Sequence, residues 1–125
     1  MSGGHNPYAE AAPQEVTFAA SADTSSAVAL DAGRRQLVGL QMPAAWTAAG
    51  LAFEVSADGV TYVPLHWSGG LYEIDAAGGA DASMGVSLEP AAFAGWPFVR
   101  VVSGTTATPV TQAAARTLLA VTRAV

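Results

Sequence analysis

Cysteine and lysine are both missing from this chain of 125 residues, and only 12% of its side chains are charged. Without cysteine there is no disulfide framework, no thiolate metal site and no cysteine nucleophile, and the redox compartment is left open. Ten acidic side chains face five arginines, for a net charge of −5. A nucleic-acid surface needs clustered Lys and Arg, so nucleic acid is not an expected partner. Soluble domains typically carry about 25% charged residues, roughly twice the share here. Two explanations follow: a subunit whose surface is covered in a large assembly, or the drift toward Ala, Gly and Pro of a GC-rich genome. No stretch approaches ~18 uninterrupted apolar residues, so membrane insertion is not expected. The first residues have neither the basic nor the apolar region of a signal peptide, and a soluble chain without signal-peptide export is expected.

Chemistry-bearing motifs are scarce as well. No G-x-G-x-x-G or P-loop pattern occurs, and the pairs Gly69-Gly70 and Gly78-Gly79 lack the strand, helix and lysine context of a phosphate site. The two histidines, His5 and His66, have no second ligand or nucleophile at a useful spacing and read as surface residues. Asp58, Glu73, Asp75, Asp81 and Glu89 are the carboxylates that would have to pair as a glycosidase acid and base, or hold calcium. No D-x-D-x-D-G loop is present, and Asp58 is explained by a turn. The expectation is no catalytic, cofactor or metal residue, and no enzyme.

What the sequence does contain is short alternating segments. Leu51 to Leu65 reads as a hairpin: Leu51, Phe53 and Val55 alternate with Ala52, Glu54 and Ser56, Asp58-Gly59 supplies the turn, and an extended pattern resumes at Val60. Further strands are expected at Glu15–Ala20, Ala27–Asp31, Arg35–Met42, Leu71–Asp75, Met84–Leu88 and Trp96–Val102. Within Arg35–Met42, Leu37, Gly39 and Gln41 are expected to oppose Val38, Leu40 and Met42. Ala115 to Arg123 is read as a last strand, although Gln112 to Val121 also has helix propensity. Pro43–Gly50 is expected as a connection in which Trp46 covers apolar surface, Ser21–Ser26 as a polar loop, and Glu89–Gly95 as a single helical turn. About eight short strands with regular turn signals predict one all-β domain over residues 15–125, an antiparallel β-sandwich of jelly-roll, galactose-binding-like type.

Three features stand out as candidate contacts. His66, Trp67 and Tyr72, near Glu73 and Asp75, form the most site-like cluster, since sugars are held by aromatic faces and polar groups; core or subunit packing is the competing reading. Residues 1–14 hold Gly-Gly and two prolines without periodicity, and His5, Asn6, Pro7 and Tyr8 are read as an arm that clasps a neighbour, or as a plain tail. Arg100, inside an apolar strand, needs either solvent or a carboxylate such as Glu54.

The segments G-L-Q-M-P-A-A-W-T-A-A (39–49), S-A-D-G (56–59), F-A-G-W (93–96), S-G-T (103–105) and Q-A-A-A-R-T-L (112–118) resemble a small protein family of alphaproteobacterial phages and gene transfer agents. The likeness runs from about Leu37 to Arg123. It implies a β-sandwich virion protein made in the bacterial cytoplasm and carried on the particle head, as the base of a head spike that joins a fibre to the capsid. Capsid decoration and a tail role stay open beside it. The implied partners are further copies of the chain, a capsid protein and a spike or fibre protein. Independently, the order of a Trp-containing turn, an S-x-D-G hairpin and a late F-V-R-V strand is similar to galactose-binding-like jelly rolls, which implies an adhesion module for host surface polysaccharide.

Overall fold

Alternating apolar residues make strands because successive side chains point to opposite faces, and each strand must bury one face against another layer. The computed structural model describes residues 13–75 and 81–125. Among these, eleven strands form: β1 (Gln14–Phe18), β2 (Thr24–Ala29), β3 (Arg35–Gln41), β4 (Leu51–Ser56), β5 (Val63–Pro64), β6 (His66–Trp67), β7 (Gly70–Leu71), β8 (Glu73–Ile74), β9 (Gly85–Ser87), β10 (Phe98–Ser103) and β11 (Arg116–Ala124). One sheet has the order β1-β11-β3-β9; the other runs β2-β10-β4-β5, with β8 also paired to β4. All their pairings are antiparallel, and the two sheets pack as a sandwich. The short pair β6-β7 stands outside both.

The core draws on every long strand. Val16 and Phe18 of β1, Leu37 and Leu40 of β3, Phe53 and Val55 of β4, Val99 and Val101 of β10, and Leu118 and Ala120 of β11 are all buried. Trp46 is buried in the connection between β3 and β4, its ring edge-on to Phe18 at 5.4 Å and its Nε1–H donating to the Ala49 carbonyl at 3.2 Å. The terminal segment is strand, not helix: Leu118, Ala120 and Thr122 face inward as the β-branched residues there favour.

Five expectations are corrected. The strand expected at Arg35–Met42 does not alternate strictly, because Leu37 and Leu40 are both buried. Val121 pairs with Gly39 and Thr122 with Leu37, so Val38 is an extra residue, and this bulge turns Leu37 back to the core side. The return strand of the central hairpin starts at Val63 rather than Val60, since residues 57–62 are held in a turn by Asp58. The polar loop expected at Ser21–Ser26 is half strand. There β2 slips register against β10 between Arg100 and Val102, and the buried Ser25 Oγ accepts the Val101 N–H at 2.9 Å in place of a carbonyl. Gln14, placed in the arm by its sequence, belongs to β1 opposite Ala120. The fifth concerns number: about eight strands are expected and eleven form, four of them short pieces within residues 63–74.

Candidate functional site

The hairpin β6-β7 turns through Ser68 and Gly69, both with positive φ (56° and 89°), the conformation a two-residue turn needs to match strand twist. His66 sits opposite Leu71, and Trp67 opposite Gly70. His66 and Trp67 are exposed, Trp67 at 40% despite its size. Tyr72 goes the other way. Its ring stacks on Phe53 at 5.5 Å and meets Phe93 edge-on at 5.7 Å, and its hydroxyl accepts the Glu89 N–H at 2.8 Å. Its faces and its oxygen are engaged in holding the sandwich, so of the three expected sugar contacts the structure keeps His66 and Trp67 at the surface and packs Tyr72 inward.

More apolar surface lies on the same stretch than its sequence reading singled out. Val60 is 82% exposed, and Val63 and Leu71 are also large side chains open to solvent. With Trp67 they all fall within residues 60–71; on the β6-β7 hairpin Trp67 and Leu71 belong to neighbouring pairs of the ladder and so face opposite sides. The signal available in the sequence was the density of Val, Trp and Leu between turn residues with no arginine among them. Neighbouring Tyr62 lies under Arg100, whose guanidinium carbon is 4.3 Å from the ring centroid. Arg100 also donates through Nε to Glu54 Oε1 at 2.6 Å, the partner expected for it.

No family model matches the chain, and none of the curated proteins does.

The carboxylates are dispersed, and three of them are taken up by separate backbone N–H groups. Glu73 Oε2 accepts the Thr106 N–H, Asp81 Oδ1 the Ala82 N–H, and Glu89 Oε1 the Ala91 N–H. Among the described residues no group of three or more His, Cys, Asp or Glu is placed to hold a metal ion. Also among them, no helix is long and apolar enough to cross a membrane. His5, Asn6, Pro7 and Tyr8, and the pair Gly78-Gly79, lie outside the described residues.

Asp58 is the carboxylate with the firmest role. Its Oδ1 accepts the Thr61 N–H at 2.9 Å, the Val60 N–H at 2.8 Å and the Ser56 hydroxyl at 2.9 Å, which together hold its carboxyl below the ordinary aspartate range. A lowered folded pKa contributes stability above the unfolded value and loses it as pH falls through the folded one. Acidification below about pH 4 is therefore expected to loosen the 57–62 turn. Amide hydrogen exchange at Val60 and Thr61 should rise there in the wild type, and Asp58→Asn should flatten that response; an equally steep response in the variant would refute the assignment.

Proposed function

We propose that this chain is a non-enzymatic structural subunit of a phage-like particle or gene transfer agent, the base of a head spike that attaches a fibre to the capsid. The observation that carries the docking part is the exposure of the large apolar side chains Val60, Val63, Trp67 and Leu71 within residues 60–71. Exposed apolar side chains at this density along one short stretch suit a segment that another protein covers. The particle part rests on the phage-family resemblance, whose motif residues here build the scaffold. They include Trp46 against Phe18, the Ser56-to-Gly59 turn, Phe93 against Phe53, and the buried Gln112.

Val60→Glu and Leu71→Glu change exposed side chains and are expected to leave the melting temperature unchanged. Combined, they should remove the chain from purified particles. Particles carrying the double variant at wild-type amounts would overturn the reading.

A second reading, contact with host surface polysaccharide, is favoured by the exposed Trp67 ring, with His66 on the other face of the strand. It predicts a saturable fluorescence change with capsular polysaccharide that Trp67→Ala abolishes while the fold is kept. No change on titration removes it.

A further inference from the structure

A strand at the edge of a sheet presents unpaired N–H and C=O groups, and soluble proteins blunt such edges or use them. Here one side of the sandwich is closed. The Gln14 side chain spans from β1 to β2, donating through Nε2 to the Ala29 carbonyl at 2.9 Å and accepting the Ala29 N–H at 3.3 Å through Oε1. Beside it the Thr17 N–H donates to Ser26 Oγ at 3.0 Å. On the other side, β5 is two residues long and ends in Pro64, which has no N–H to offer.

The remaining edge, β9, is built differently. Leu40 pairs with Val86, and on either side of them Met42 N–H donates to the Met84 carbonyl and Leu88 N–H to the Val38 carbonyl. In an antiparallel ladder this alternation turns the backbone groups of Met84, Val86 and Leu88 toward β3. The N–H and C=O of Gly85 and Ser87 therefore point away from the sheet, and both residues are exposed. Just beyond them the backbone is occupied again, since the Ser83 N–H donates to the Pro43 carbonyl and the Glu89 N–H to the Tyr72 hydroxyl. Among the described residues the open window is two residues wide.

We propose that a second copy of this chain adds to β9, antiparallel, about a two-fold axis at Val86. In that register Gly85 faces Ser87 of the other copy, and the four outward groups on each copy find partners in four hydrogen bonds between the copies. A two-fold contact must be self-complementary, and this window is so by its own spacing. Two four-stranded sheets then become one continuous sheet. Gly85 lacks a side chain and a Cβ there would meet nothing within 4 Å, so the copies approach without obstruction. The shallow groove along the edge is lined by uncharged residues, among them Gln41, Met84, Ser87 and Val121, so two chains of charge −5 meet there without facing charges in the groove. The nearest acidic side chains, Asp81 and Glu89, lie outside the window. A two-residue window gives a weak pair, of the kind that becomes stable through repetition in an assembly.

The inference deepens the particle reading proposed above by naming where two copies of the subunit meet. Its test is sedimentation of the full chain from about 10 µM to about 1 mM, in about 150 mM salt where charges beyond about 8 Å are screened. The wild type is expected to move from one chain toward two as concentration rises. Ser87→Pro removes an outward N–H that β3 does not use, and Gly85→Lys places a charge beside the axis, opposite Ser87 of the other copy; both should stay single-chain throughout with unchanged melting temperature. A wild type that is monomeric at every concentration, or variants that pair equally well, would overturn the proposal. A monomer that is nevertheless incorporated into particles would overturn edge pairing alone. A wild-type pair whose chain never enters particles would instead overturn the particle reading and leave the edge intact.

Discussion

Replacing Gln112 with alanine is expected to destabilise the sandwich by about 3–5 kcal/mol, a large share of the 5–15 kcal/mol that holds a domain of this size. Gln112 is fully buried, and its side chain ties together parts of the chain that are far apart in sequence. Oε1 accepts the Thr47 N–H at 2.8 Å and Arg116 Nε–H at 3.3 Å, while Nε2 donates to the Thr47 carbonyl at 3.1 Å and to Ser103 Oγ at 2.8 Å. Its own backbone adds two more ties, donating to the Ala22 carbonyl and accepting the Ser21 N–H. Truncation leaves the half-buried Thr47 amide groups and the buried Ser103 hydroxyl without these partners, and each such group costs up to about 1–3 kcal/mol. Leucine at 112 fills the volume but restores none of these bonds, so Gln112→Leu should lose nearly as much as Gln112→Ala. Urea denaturation of the two variants decides it. A leucine variant as stable as the wild type would show that volume, not hydrogen bonding, is what the site requires.

Gly33→Ala is expected to cost about 3 kcal/mol, for two additive reasons. Gly33 has φ +87°, where an L side chain is strained, and a Cβ there would lie 2.6 Å from the Gly95 carbonyl oxygen. The obstacle is backbone, so it cannot rotate away. This contact joins the turn between β2 and β3 to the turn before β10. The neighbouring Ala32 carries φ +54° with a Cβ already in place, so Ala32→Gly should be neutral or stabilising by up to about 1 kcal/mol. Gly85→Ala, with open space around it, is the matched control and should change stability by less than about 0.5 kcal/mol. Thermal melts of the three variants would give this order; equal losses in Gly33→Ala and Gly85→Ala would refute the close-approach argument.

The sequence made the β-sandwich legible because the long strands β1, β4 and β11 each alternate in step with the pleat. Val16 and Phe18, then Phe53 and Val55, then Leu118 and Ala120 are spaced by two and all face inward. The Arg100–Glu54 pair was legible for a different reason, since a guanidinium inside an apolar strand demands a partner. What escaped were features set by partners distant along the chain. The bulge at Val38 exists only against β11, and the role of Gln112 requires Ser21, Ala22, Thr47 and Ser103 to be brought together first. Tyr72 shows the same limit at the candidate site: its neighbours in sequence suggest a sugar platform, whereas Phe53 and Phe93 claim its ring. The outward apolar residues of 60–71 were visible as letters, but alternation alone did not say that Val60 would sit in a turn held by Asp58 rather than in a strand.

The pairing of β1 with β11, in which Gln14 lies opposite Ala120, also bears on the order of events at the ribosome. The first strand has no place in its sheet until the last has been made, since β11 separates it from β3. The Thr47 amide likewise waits for Gln112. Nascent chains should therefore remain open to protease until β11 emerges, and then close in one cooperative step. A chain with this topology closes the β1-β11-β3-β9 sheet last, so the long-range pairing that sets its folding rate is left until β11 has been made.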